Sequence, residues 1–308
     1  MGSGVVGRVL CVGVAVLDNI FALGEMPHEP TKVFARNFRQ IGGGPAANAA
    51  VTIAKLNGVA TLWARVGDDP IGSLLIDELK TCSVTVDIVR QIPGRATGVS
   101  AVLVDDKGDR FIVAFADRGL DSDASWLPLH RLTQFDVVLC DVRWPAAAKR
   151  VLQAAATYGV QTVLDADLTD DDAVENLVGL ASHVIFSKLA LARLTGTDDF
   201  AAGLRLASRQ CNGIVSVTLG ARGYAWLEHG RIYQAAAVQV DVVDTLAAGD
   251  VFHGAFALAL AEGSSLRQAA RFATVTAGLK CTRWGGRAAI PTRDEVDEFL
   301  STDNLALR

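Results

Sequence analysis

Asp244-Thr245-Leu246-Ala247-Ala248-Gly249-Asp250, running into Val251-Phe252-His253-Gly254-Ala255-Phe256, decides how this chain is read. Ahead of it, Ala235 to Val243 carries alternating valines and reads as a strand. Behind it, Val251 to Ala261 is apolar and rich in Ala and Leu, and reads as a buried helix. The join consists of small residues. Such a turn lets backbone N–H groups approach a ligand, and the helix N-terminus adds orphan donors and the positive end of a dipole. An anion is therefore expected at Ala247, Ala248, Gly249 and Asp250. Asp250 is the odd member, because a carboxylate there opposes the anion. Two readings stay open on this fragment. Asp250 is an N-cap, or it is a general base that takes a proton from a hydroxyl attacking a phosphate held by those N–H groups.

Upstream of this stretch, strands and helices alternate, the pattern of a parallel sheet flanked by helices. Phe135 to Cys140 reads as a strand ending at Asp141-Val142-Arg143-Trp144. Gln161 to Leu164 ends at Asp165-Ala166-Asp167, and Gly213 to Thr218 runs into Leu219-Gly220-Ala221-Arg222-Gly223. Arg143 falls at a strand's C-terminal end, the edge on which open α/β sheets bind ligands. Arg283 and Arg287 flank Gly285-Gly286 after a helix. Each arginine meets either an oxyanion or a surface carboxylate.

Near the start, Val9 to Val14 reads as a buried parallel strand. Asp18 follows it, as a ligand contact or as a loop aspartate. Val33 to Ile41 roughly alternates and reads as a half-exposed strand, begun by Lys32, which position alone assigns to solvent. Gly42-Gly43-Gly44-Pro45 leads into a helix with Asn48 in its first turn, within reach of a hydroxylated ligand or of the preceding loop. Thr97 to Asp105 and Arg110 to Ala116 form a hairpin about Asp106-Lys107-Gly108-Asp109. With Val33 to Ile41 they make a small antiparallel sheet inserted between βα units. No linker divides the chain, so residues 1–308 read as one domain.

The 308 residues are 50% hydrophobic and 20% charged, enough for a large core. A net charge of -5 argues against a nucleic-acid surface, so an anionic small molecule needs local basic residues. The five cysteines are scattered without metal or redox spacing and read as reduced. No targeting segment and no apolar run near the ~20 residues of a membrane span is found. The expectation is a cytoplasmic protein with neither nucleic-acid nor membrane partners.

Taken together, these motifs resemble the ribokinase-like (phosphofructokinase-B) carbohydrate kinases over nearly the whole chain. Two carry the match: Gly43-Gly44 with Asn48, and Asp244 to Asp250. Asp18, Gly67-Asp68-Asp69-Pro70-Ile71-Gly72 and Thr218-Leu219-Gly220-Ala221-Arg222-Gly223 fit in order and spacing. The resemblance implies a doubly wound, mostly parallel α/β sheet flanked by helices, with a small β-sheet lid. The lid is expected from insertions at about 17–41 and 97–117, pairing two subunits into a homodimer. It implies ATP and Mg2+ as cofactors and leaves a monovalent cation open. By position, Asp250 resembles the catalytic base, and Ala247, Ala248 and Gly249 the anion hole. Asp18, Gly43, Gly44 and Asn48 resemble sugar contacts, and Thr218, Gly220 and Gly223 nucleotide contacts.

One departure stands out. The family's usual Asn-x-x-Glu falls here on Ser187 and Ala190, so the metal ligands are left unassigned, with Asp165 and Asp167 as substitutes. The sulfofructose kinases lack that motif too. They resemble this chain at Lys32 to Asn37, Gly42 to Ala47, Asp136 to Trp144 and Lys280 to Ala288. In them, residues matching Lys32 and Arg143 are associated with a sulfonate. The third contact, an Asn, falls on Ala114, which cannot donate. The expected reaction is transfer of the γ-phosphoryl of ATP to a hydroxyl, the 1-OH of an anionic ketose. 6-Deoxy-6-sulfofructose is the first choice. Fructose 6-phosphate or a 2-keto-3-deoxy sugar acid comes next, then neutral ribose or fructose. The rival class is a non-catalytic sugar or nucleotide sensor.

Overall fold

The computed structural model describes residues 5–106, 110–117, 119–120, 123–169 and 171–302. The turn expected at Lys107 to Asp109 lies outside them. In chain order the strands are β1 (Arg8–Val14), β2 (Val16–Ala22), β3 (Asn37–Gly43), β4 (Val59–Gly67), β5 (Thr85–Ile92), β6 (Val99–Val104), β7 (Arg110–Phe115), β8 (Val137–Asp141), β9 (Gln161–Ala166), β10 (His183–Ser187), β11 (Ile214–Thr218), β12 (Tyr224–Glu228) and β13 (Arg231–Ala235). The helices are α1 (Pro45–Lys55), α2 (Pro70–Thr81), α3 (Pro145–Tyr158), α4 (Ala173–Leu177), α5 (Lys188–Thr195), α6 (Phe200–Ala207), α7 (Ala248–Ala261), α8 (Leu266–Cys281) and α9 (Arg293–Thr302).

Nine strands form the main sheet in the order β13-β12-β11-β10-β9-β8-β1-β4-β5. It is parallel except where β12 pairs with β11 and β13. β1 is an interior strand, between β4 and β8. That position explains its unbroken apolar run, since both faces are covered. Val9 and Cys11 belong to one core with α1, α7 and α8. Leu10 and Val12 belong to the other, with α3, α5 and α6. The expected doubly wound sheet is thus present, with a separate four-stranded sheet in the order β3-β2-β6-β7.

The packing of α7 on α1 sets up the site. At Gly254, an added Cβ would lie 2.6 Å from the Ala49 carbonyl oxygen. α7 contributes no side chain at this contact, and the first turns of the two helices, bearing Asp250 and Asn48, face each other.

Several expected elements shift. Asp18 lies within β2, not in a loop: only Ala15 separates β1 from β2, so the chain steps between sheets without a turn. β3 begins at Asn37 rather than Val33 and takes in Gly42 and Gly43; the turn itself is left to Gly44, at φ +95. Ala235 to Val243 is not a strand beyond Ala235. The segment packs Val238 against α8 instead of joining a ladder, so its alternation comes from a helix contact. β5, α4 and α6 were not expected at all.

Candidate active site

α7 starts three residues earlier than expected, at Ala248, with Ala247 in the left-handed region (φ 60) as its N-cap. Asp250 is therefore inside the first turn, which rules out the N-cap reading. The N–H groups of Ala247, Gly249 and Asp250 have no hydrogen-bond partner among the described residues, whereas Ala248 N–H donates to the Thr245 carbonyl at 3.2 Å. A Cβ at Gly249 would meet nothing within 4 Å. Free donors thus face open space at the positive end of a helix.

Asp250 Oδ2 accepts from Asn48 Nδ2 at 2.6 Å. Burial, reinforced by the neighbouring Asp165, pushes the Asp250 carboxyl up to about 7, with the Asn48 amide pulling the other way. Beneath it, Asp165 Oδ1 and His253 Nε2 lie 3.5 Å apart, both side chains buried. Burial favours the neutral form of each, raising Asp165 and lowering His253. Asp141 is a staple: its carboxylate accepts from the N–H groups of Val14 (2.9 Å), Ala46 (3.2 Å) and Arg143 (2.9 Å).

The orientation of Asn48 comes from far along the chain. Arg287 is buried, and its Nε donates to Asn48 Oδ1 at 2.8 Å. Its other nitrogens donate to Gly43 O at 2.9 Å and Glu78 Oε1 at 3.0 Å. With its carbonyl engaged, Asn48 turns its NH2 toward Asp250. Arg287 is thus a positioning group rather than an oxyanion ligand, and Arg283 is held by Glu295 in an ion pair.

The second sheet supplies the other wall. Asp18 Oδ1 accepts from Ser100 Oγ at 2.5 Å, and a Cβ on Gly43 would lie 2.1 Å from Asp18 Oδ2. Burial raises the Asp18 carboxyl, against the pull of Ser100 and Arg287. Register puts Ile41, Asp18, Ser100 and Ala114 in one cross-strand row, so the position lacking a donor shares the Asp18 face. Asp18, Gly43, Gly44, Asn48 and Asp250 are brought together. Lys32 is not: it sits exposed between β2 and β3, with no hydrogen bond or ion pair among the described residues. Arg143 lies on the expected edge but is paired with Asp167 at 3.1 Å.

On the other side of the α7 N-terminus lies a cavity of about 450 Å³, lined by Thr218, Gly220, Gly223, Ala248, Gly249 and Phe252 among others. This is within the size range of small-molecule sites, ~300–1,000 Å³. All three expected nucleotide positions border it, as do Ala248 and Gly249 of the expected anion hole. Gly223 is required twice over: its φ is +90, and a Cβ would lie 2.1 Å from the Ala235 carbonyl.

A doubly wound sheet with a polar cleft and a phosphate-sized donor nest beside a large cavity defines the class: a small-molecule phosphotransferase. The comparisons with known proteins agree. The profile of the pfkB family carbohydrate kinases matches residues 7–293. The chain belongs to this family and is an ATP-dependent sugar kinase of the ribokinase type. A crystal structure from Agrobacterium tumefaciens, provisionally named a ribokinase, superposes with a TM-score of 0.92 at 38% identity, covering 97% of this chain and 100% of that one. Arabidopsis thaliana ribokinase complexed with ribose and ATP gives 0.83 at 26% identity, with coverage of 97% and 100%. An ATP-dependent ribose-1-phosphate kinase of Halopiger xanaduensis is 30% identical over 299 residues, 96% of this chain and 98% of the relative.

Proposed function

We propose that Asp250 is the general base of this kinase and that its acceptor is a neutral sugar of ribose or ketose size. The observation that carries this is the seat of the Asp250 carboxylate. It lies between the hydroxyl-binding groups Asp18 and Asn48 and a cavity edged by free N–H donors. Asp250 takes the proton from the attacking hydroxyl, and the N–H groups at Ala247, Gly249 and Asp250 receive the charge of the transferring phosphoryl. The sheet β3-β2-β6-β7 acts as a lid that excludes water from the cleft.

The reading ranks a neutral acceptor above 6-deoxy-6-sulfofructose because the nearby cations are taken. Arg287 is bound to Glu78 and Arg143 to Asp167, while Lys32 is exposed. The named ribokinase supports the same order. The anionic reading is second, favoured by Arg143 on the ligand edge: a sulfonate, phosphate or carboxylate could displace Asp167. The half-exposed Asp167, paired with Arg143, is the carboxylate that would hold a magnesium ion here. No cluster of three or more acidic, His or Cys residues placed to hold a metal ion occurs among the described residues. When bound, the ion neutralises phosphate charge.

The same reading makes the protein a homodimer through the lid and cytoplasmic, where ATP is found and thiols stay reduced; none of the five cysteines forms a disulfide. No helix among the described residues is long and apolar enough to cross a membrane.

A coupled assay decides the acceptor. It compares ribose, fructose, ribose 1-phosphate, fructose 6-phosphate, 2-keto-3-deoxygluconate and 6-deoxy-6-sulfofructose. The expected result is highest kcat/KM for a neutral sugar, unchanged in Arg143→Ala. An anionic sugar preferred at least about tenfold, a preference worth about 1.4 kcal/mol, and lost in Arg143→Ala establishes the second reading. Binding of sugar and nucleotide without turnover of any sugar means a sensor.

A further inference from the structure

Lys280 is among the largest fully buried side chains of the described residues, and nothing in the phosphoryl-transfer scheme uses it. It sits in the last turn of α8, where the helix's negative end favours a cation. Its ammonium donates to the Asp244 carbonyl at 2.9 Å and lies 3.3 Å from Asp244 Oδ2. The same carboxylate accepts from Leu246 N–H at 2.8 Å and Gly285 N–H at 3.3 Å. Val243 and Asp244 donate their own N–H groups to the Cys281 carbonyl, at 2.8 and 3.1 Å. The turn that ends in the donor nest is therefore tied to the end of α8 at its first residue. Three residues on, Ala247 holds a positive φ, a conformation unfavourable for a side chain that persists only when its surroundings fix it.

A carbonyl oxygen and a carboxylate facing one buried cation form the kind of oxygen seat that also strips water from a monovalent metal ion. Here the seat is filled by the protein's own ammonium. Burial alone would raise the Asp244 carboxyl; the Leu246 N–H, the Lys280 charge and the Gly285 N–H outweigh it and hold Asp244 below its usual range. We infer that Lys280 is a built-in cation that fixes the Asp244–Ala247 turn and so positions the phosphoryl-binding N–H groups, making the enzyme independent of free monovalent cations. The inference rests on the assignment of those N–H groups as the phosphoryl cradle. Lys280 touches no reacting atom in this account and acts through Asp244.

The test compares wild type, Lys280→Ala and Lys280→Met in tetramethylammonium buffer, with and without added potassium, sodium or methylammonium. Wild-type kcat is expected to change by less than twofold with any of these ions. Both variants are expected to lose about ten- to a hundredfold in kcat, less than the about 10²- to 10³-fold of removing an oxyanion donor outright, with sugar KM near wild type. Lys280→Ala leaves a space with its oxygen seat intact, so potassium or methylammonium restores its kcat. Lys280→Met fills that space with an apolar chain and is not restored. A merely structural lysine would give no such ion-specific recovery in one variant and not the other. A wild-type rate that rises severalfold with potassium overturns the inference while leaving the kinase reading intact. So does a Lys280→Met enzyme with wild-type kcat, or a folded Lys280→Ala enzyme that no cation restores. Wild type inactive in every salt would remove the kinase reading and the inference together.

Discussion

Asn48 holds Asp250 with one end of its amide, at 2.6 Å, and is itself held by Arg287 with the other, at 2.8 Å. The second contact makes the first directional, because an amide whose oxygen is engaged must present its NH2 to the carboxylate. Asp250→Asn keeps the shape of the site and removes the proposed base. The expected loss in kcat is about 10²- to 10⁴-fold, the usual worth of a positioned general base. Sugar affinity stays near wild type. Steady-state kinetics with calorimetric sugar binding checks this, and near-normal kcat in the variant ends the assignment.

The Asp250 carboxyl is pushed up to about 7, and only its ionised form accepts a proton. Activity should therefore fall as pH drops through about 7 and level off above it. Asn48 pulls the Asp250 carboxyl down, so Asn48→Ala should move the acid limb to higher pH. The stability effect runs the other way. A carboxyl raised above its unfolded value favours the fold while protonated, and that contribution is lost as pH rises through about 7. Asp250→Asn should then melt higher than wild type at pH 8 and show little difference near pH 4. A pH–rate profile and melting curves at both pH values test the two signs. An acid limb that stays put in Asn48→Ala rejects the contact's role.

Much of this architecture was legible because it follows local rules. The small-residue turn before α7 and the alternation of strands and helices carry the fold in their own residue patterns. What escaped is long-range or misleading locally. Asn48 and Arg287 are 239 positions apart, and only tertiary packing joins them. The burial of Lys280 against Asp244, 36 positions away, is likewise a product of tertiary packing. Ala235 to Val243 imitated a strand through its alternating valines, but Val238 packs on α8 instead of joining a ladder. β2 was hidden because one residue, Ala15, carries the chain from one sheet to the next.

Two glycines separate the halves of the cleft. Gly43→Ala puts a methyl 2.1 Å from Asp18 Oδ2, on the sugar side. Gly223→Ala puts one 2.1 Å from the Ala235 carbonyl, at φ +90, on the cavity side. At Gly43 the neighbour is the Asp18 carboxylate, held by Ser100, so that side chain has to leave its seat; at Gly223 the neighbour is backbone, so the backbone has to shift. Gly43→Ala should raise sugar KM with ATP KM little changed, and Gly223→Ala should do the reverse. Each change is expected to be about tenfold or more, as a displacement costing ~1.4 kcal/mol in binding requires. Substrate saturation curves for both ligands give the answer, and equal effects on both KM values would contradict the division.

The last prediction concerns the second sheet. Residues of alternate parity along a strand face opposite ways, and the pairing register puts Phe21, Phe38, Phe111, Val113 and Phe115 on the face opposite Asp18. Phe38, Phe111, Val113 and Phe115 are each about half exposed or more. A contiguous apolar sheet face of this kind marks an association surface. A second copy of the chain can cover it with the same face, as two-fold pairing requires. Phe111→Lys with Val113→Lys places two charges in that face without touching the Asp18 row. Sedimentation should show a dimer for wild type and a monomer for the double variant. Since the sheet forms one wall of the cleft, the monomer should also bind sugar more weakly. A wild-type monomer, or a double variant that stays dimeric, excludes this surface as the interface.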